Sequence, residues 1–299
     1  MRIPRHEFPT RNTVRILETH TKDFWDDVEG LQKQPSWFSN VLADAIEFLG
    51  LRCTLDPEAD KLETWEACVT AMQVGSALFA SAQATTGSIE YRIGHEMHTI
   101  RAGALPRAHA GNWLNAFWLA CVCREKKRIT ELCQFPASRL RQADGVLDEY
   151  IYNWVEALQA YWLKQPEFGD KLVAAVEGTD PANLRHAPRD GVLQIMYPPM
   201  NLLTQLARGD QDKFNTELAK ALEWHKDYWT HNEDRALDTE GLVALGPLGV
   251  CCLAVQAGFT ITVESEYLPK HLLEGAWLNE VPPSPQPDIP ANRKAAHVT

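Results

Sequence analysis

Apolar residues recur at alternating steps of three and four along most of this chain, which predicts helix after helix. From Leu62 to Ala82 the stripe is Leu62, Trp65, Val69, Met72, Ser76 and Phe79. From Asp148 to Leu163 it is Ile151, Trp154, Val155, Leu158, Tyr161 and Trp162, with Asp148 and Glu149 at the positive end of the helix dipole. A third stripe, Phe214, Leu218, Ala221, Leu222, His225, Tyr228 and Trp229, fills Gln211–Thr230 behind the N-cap Asp210. Through Arg208-Gly209-Asp210 this helix joins Met200–Ala207 in an αα-hairpin. Shorter helices are predicted at Asn12–Leu31, Trp37–Leu49, Ile129–Phe135, Phe168–Val176 and Leu268–Trp277. Asn112–Cys123 and Glu240–Gln256 are apolar nearly all round, so other elements must surround them. Tyr197-Pro198-Pro199 reads as a turn or a helix start, and Phe259–Val263 as extended.

The period changes once. Ile89, Tyr91 and Ile93 alternate, Gly94-His95-Glu96 turns, and Met97–Arg101 returns. The fold class expected is therefore all-α in the main, a multi-helical bundle or irregular αα-hairpin array, with one small β-hairpin near 88–102. No self-similar period marks a solenoid. Residues 1–280 read as a single helical domain, and 281–299 as a disordered tail, because that stretch is rich in Pro and lacks apolar spacing.

Composition narrows the function classes. Apolar residues make up 45% of 299 residues, enough for a sizeable core. The net charge of −11 argues against a general nucleic-acid binder, which needs excess Lys and Arg. It suits a basic partner instead. Asp210–Glu240 alone carries nine carboxylates against four Lys or Arg. The apolar run Gly241–Val255 contains Pro247 and is too short to span a bilayer, so no membrane association is expected. No apolar run follows Met1–Thr10, and most of the seven Cys sit inside apolar helical runs without zinc-ribbon spacing. The expectation is a cytoplasmic protein with reduced, buried thiols.

The chain has no nucleophile elbow, phosphate-binding loop, zinc-protease helix or dinucleotide fingerprint. His95, Glu96, His98 and His109 lie close in sequence, but on a strand 96 and 98 share a face while 95 points away. No metal site and no cofactor are therefore expected. His225 falls on an apolar stripe and reads as a hydrogen-bonded core histidine. Glu264, Glu266, Tyr267, Lys270 and His271 form the densest polar cluster, with both carboxylates on one side if the segment is extended. Tyr152 and Asn153 lie off the apolar stripe, where a partner would touch.

Eight ordered segments carry a family likeness. They are Leu62–Ala67 with Met72-Gln73, Gly111–Trp113, Asp148–Trp154, Gly169–Val173, Tyr197–Pro199, His225–Trp229, Glu240–Pro247 and Glu264–Pro269. Together, over residues 5–280, the chain resembles the actinobacterial branch of the immunity 49 family. The resemblance implies a cytoplasmic, mostly helical immunity protein of a bacterial polymorphic toxin system. It also implies neutralisation of a cognate toxin by binding, the toxin being a basic, nuclease-like protein if charge complementarity guides the pairing. No catalytic residue is implied. The alternative is an enzyme or small-molecule-binding protein of secondary metabolism on the same scaffold, with a pocket near Glu264–His271. The binding candidates are Tyr152, Asn153, His225, Glu264, Glu266, Tyr267, Lys270 and His271. A homo-oligomer formed through exposed aromatics is a further expectation.

Overall fold

The computed structural model describes residues 1–143 and 145–283. In chain order the first helices are α1 (Thr13–Gly30), α2 (Phe38–Leu55) and α3 (Leu62–Gln83), followed by strands β1 (Ser88–Ile93) and β2 (Glu96–Arg101). Then come α4 (Ala110–Val122), α5 (Lys126–Cys133), α6 (Ala137–Leu140), α7 (Glu149–Leu163) and α8 (Phe168–Gly178). The rest are α9 (Arg189–Gly191), α10 (Tyr197–Arg208), α11 (Gln211–Trp229), α12 (Glu233–Ala236), α13 (Leu245–Gln256) and α14 (Lys270–Glu274). The protein is mainly α with one antiparallel two-stranded hairpin, as the pattern predicted.

The two helices that are apolar all round form the centre. α4 packs against α3 on one side and α13 on the other. Trp113, Phe117, Trp118 and Leu119 of α4 are all buried, with the Trp113 and Phe117 rings stacked at 5.0 Å. Burial of each such side chain stabilises the fold by about 1.5–3 kcal/mol. α3 approaches α4 closely because Gly75 faces Ala116; a Cβ on Gly75 would come within 2.9 Å of the alanine methyl. The stretch Thr239–Gln256 has a mean hydropathy of 1.4, and 67% of it is buried inside the fold. Its apolar character thus belongs to the core.

The hairpin pairs Ile93 with Glu96 and Ser88 with Arg101, leaving Gly94-His95 as a two-residue turn. Gly94 has φ 63, a value that suits glycine at the first position of a II′ turn. The Trp25 ring of α1 covers it, and a Cβ there would lie 2.5 Å from that ring. Gln73 of α3 anchors the turn by accepting the Gly94 N–H at 2.6 Å.

One expectation needs correcting. Helical turns begin well before Tyr197: α9 leads into a π turn at Val192–Met196, and α10 continues from it through Pro198 and Pro199. Neither proline offers an N–H, and each ring crowds the carbonyl four residues back, so a widened turn forms just ahead of them. Val281 and Pro283, placed in the tail, rest on α3. Trp65 Nε1 donates to the Val281 carbonyl at 2.8 Å, and Gln73 Nε2 to that of Pro283 at 3.4 Å. The remainder of the expected tail, 284–299, lies outside the described residues.

Candidate functional site

A cavity of about 390 Å³ opens where α2, α4, α7, α11, the π turn and the start of α13 meet. Trp118, Trp154 and Trp229 give it aromatic walls, and Asn112, Asn115, Gln194, His109, His225 and Glu240 its polar positions. Its place in the fold follows from the sequence around it. Gln194, Ile195 and Met196 reach it from the π turn forced by the two prolines. Gly246 lets α13 begin against Pro199 and Trp118, since a Cβ there would meet Pro199 at 2.8 Å.

The histidines on its wall are already engaged. His109 Nδ1 accepts the Asn112 N–H at 3.2 Å and so caps α4. His225 Nε2 lies 2.9 Å from the Gly241 carbonyl, and Tyr267 packs edge-on against its ring at 4.7 Å. Burial pushes its pKa down to about 4, so the imidazole is neutral at pH 7. The neutral ring then carries its proton on Nε2, the only way to bond a carbonyl from that atom. Among the described residues Glu240 is the one carboxylate on the cavity, and the lining holds Thr239 but no Ser, Cys, Lys or Asp. The cavity thus offers aromatic surface and amide groups for binding, without a carboxylate pair for acid–base work.

The polar cluster of Glu264–His271 serves a different end, because it fastens the N-terminus. Glu264 forms a parallel bridge with Arg2: Ile3 N–H donates to the Glu264 carbonyl at 2.9 Å, and Glu264 N–H to the Met1 carbonyl at 2.8 Å. The Glu266 carboxylate takes the Arg2 guanidinium at 2.8 Å and the Arg5 N–H at 3.1 Å. Partial burial raises the Glu266 pKa, but those two donors outweigh it and leave the carboxyl below the usual range. Tyr267 is fully buried, and its hydroxyl accepts the His6 N–H at 3.1 Å and contacts His6 Nδ1 at 2.8 Å. Burial raises this phenol to about 12. Lys270 stands exposed at the start of α14, while the His271 N–H donates to the Glu58 carbonyl at 2.9 Å. Of these five residues none lines the cavity; of the binding candidates His225 alone does, and His109 of the histidine cluster joins it there.

Tyr152 and Asn153 are placed differently from the expectation as well. Tyr152 is buried, with the Arg141 guanidinium 4.0 Å above its ring and held there by Glu149. Only half-buried Asn153 keeps an outward position. The stripe rule missed this because the cover comes from another part of the chain. The clustered histidines also separate. His95 pairs with Glu66 at 3.2 Å, and His98 stacks on Trp25. Among the described residues no group of three His, Cys, Asp or Glu has the arrangement a metal ion needs. All seven cysteines are free and buried; where a shift is seen the thiol is pushed up, by Cys123 and burial for Cys68 and by burial for the others, Cys252 reaching about 11. Part of the acidic stretch 210–240 is committed: Asp210 and Asp238 cap helical turns, and Glu217 binds Lys220 and Asn201, while Glu223, Asp227, Glu233 and Asp234 are exposed.

No curated protein and no solved structure matches this chain. The family description "Immunity protein 49" matches residues 56–272, from the loop before α3 to within α14. That span holds the buried α3–α4–α13 centre, the cavity walls other than α2, and most of the Glu264–His271 segment. The chain therefore belongs to the immunity protein 49 family.

Proposed function

We propose that this protein protects its cell by binding and neutralising a cognate toxin. The observation that carries this is membership of a family of immunity proteins over most of the folded chain. Two features support binding rather than catalysis. Among the described residues the cavity has one carboxylate and no Ser, Cys or Lys, and the second dense polar cluster is spent on holding the N-terminal segment. The net charge of −11 favours a basic toxin, because opposite charge speeds encounter and discourages wrong partners. A nuclease is one such toxin, since its own substrate demands a positive surface. Seven buried free thiols suit action in a reducing cytoplasm.

The experiment is co-expression with the toxin encoded beside this gene, in a host that the toxin alone kills. Restored growth, with the two proteins purifying as one complex, is the expected result. Continued killing at confirmed expression of this chain would sink the reading.

A further inference from the structure

We infer that the face built by α1 and α2 is where the basic partner docks, an inference that rests on the toxin-binding reading above. Between Glu18 and Glu47 the sequence carries seven carboxylates against only Lys22 and Lys33. Folding concentrates four of them. Asp23 and Asp27 of α1 and Asp44 and Glu47 of α2 line one small cleft of about 60 Å³, with His20 at its edge and Phe24 and Phe48 as its floor. None of the four makes an ion pair among the described residues; Lys22, the nearby cation on α1, is bound to Asp26 instead.

The same two phenylalanines also line a neighbouring groove of about 190 Å³, which adds Trp25 and Ala45 and carries Arg52, Glu63 and Glu66 among its polar positions. Phe24 meets Trp25 edge-on at 5.1 Å and Phe48 at 5.5 Å, so the floor is a fixed aromatic set. A carboxylate-lined cleft beside an aromatic groove fits one kind of visitor. The cationic head of a Lys or Arg takes the cleft, and its aliphatic stem or an apolar neighbour takes the groove.

Crowded like charges destabilise the free protein. Desolvation and the proximity of Asp27 push the Asp44 carboxyl up, and desolvation together with Asp44 does the same for Glu47. A bound cation relieves that repulsion. The face also lies in residues 1–55, ahead of the span that the family description matches.

The test uses the full chain and the toxin encoded beside its gene, with affinity measured by calorimetry and protection by co-expression. Asp44→Lys/Glu47→Lys is expected to weaken binding by on the order of ten- to a hundred-fold, to flatten its salt dependence and to abolish protection. Asp23→Lys sits at an exposed position and is expected to weaken binding too, which decides the matter if the double variant fails to fold. Glu167→Lys, an exposed carboxylate away from this face, changes net charge by as much as Asp23→Lys does and is expected to bind as the wild type does. Wild-type affinity in the α1–α2 variants, or equal weakening by Glu167→Lys, overturns the docking face while leaving the toxin-binding reading intact. The same holds if the α1–α2 variants merely dissolve a homodimer and bind the toxin normally. Failure of the wild-type chain to bind that toxin at all overturns both.

Discussion

The Asp148 carboxylate accepts the backbone N–H of Ala187 at 2.8 Å, across thirty-nine residues of chain. The same carboxylate takes the N–H of Arg185 at 2.9 Å and that of His186 at 3.2 Å. As the N-cap of α7 it would be expected to bond its own helix, but it makes no such bond. It gathers the loop ahead of α9 instead, and so fixes where the π turn and α10 reach the cavity wall.

Removing that carboxylate should therefore cost more than an ordinary helix cap. Asp148 is 7% exposed, and its loss strands three amide groups. Asp148→Ala is expected to cost about 3 kcal/mol in urea unfolding, with Asp148→Asn in between. Burial alone would raise this carboxyl, but the amides of Ala187, Arg185 and His186 hold it below the usual range. A depressed acid stabilises the fold above the ordinary carboxylate pKa, and the benefit fades as pH falls through the lowered value. The gap between wild type and Asp148→Ala should accordingly shrink on acidification. A gap that stays constant down to the acid limit would show that the charge is not what matters.

The α1–α2 cleft has the opposite sign. Desolvation and Asp27 raise Asp44, and desolvation and Asp44 raise Glu47, so their ionised forms oppose folding. Asp44→Asn and Glu47→Gln should each raise the melting temperature at pH 7. The gain should vanish below the ordinary carboxylate range, where the acids are protonated folded or unfolded. Thermal scans at neutral and acid pH check this, and a melting temperature lowered at pH 7 would contradict it.

The Gly75–Ala116 contact sets the spacing of α3 and α4. Gly75→Val places branched carbon into a 2.9 Å gap and should destabilise by about 1–3 kcal/mol through overpacking. Gly75→Ala gains roughly 1 kcal/mol of helix propensity against a smaller clash, so its net effect should be milder. Adding Ala116→Gly should recover part of the loss in Gly75→Val. A double-mutant cycle without coupling would mean that the two helices do not depend on this pair.

How much of this was legible in the sequence depends on distance along the chain. The α3, α7 and α11 stripes and the change of period at Ile89 are local signals, and the elements appeared where they pointed. Relations between distant residues left no such trace. Asp148 looked like a helix-dipole charge, with nothing to suggest the amides at 185–187. Glu264 and Glu266 read as a cleft pair, because their partners Arg2 and Arg5 lie some 260 residues earlier. Arg124 carries no signal of its role in the sequence. In the fold it adopts φ 53 at the end of α4, and its guanidinium donates to the Leu272 carbonyl at 2.8 Å and reaches that of Leu273. Of the cavity, His225 alone was singled out, since its remaining walls come from six separate stretches.

His225 also gives the most direct pH signature. An ordinary imidazole titrates near pH 6.5, whereas burial holds this one at about 4. Above pH 6.5 the ring is neutral folded or unfolded, and stability should not respond to it. Below that, the unfolded chain takes up a proton that the folded chain refuses, and stability falls until the folded ring titrates as well. Each pH unit in this window is worth about 1.4 kcal/mol, or roughly 3 kcal/mol across it. His225→Phe removes the titrating group and should flatten the curve between pH 6.5 and 4. It also strands the Gly241 carbonyl, so it should lower stability by about 1–3 kcal/mol at pH 7. His225→Gln retains a donor for that carbonyl, and separates the titration from the lost bond. Imidazole resonances followed through the acid range provide the direct check, and an ordinary titration near pH 6.5 in the folded protein would contradict the buried, neutral ring.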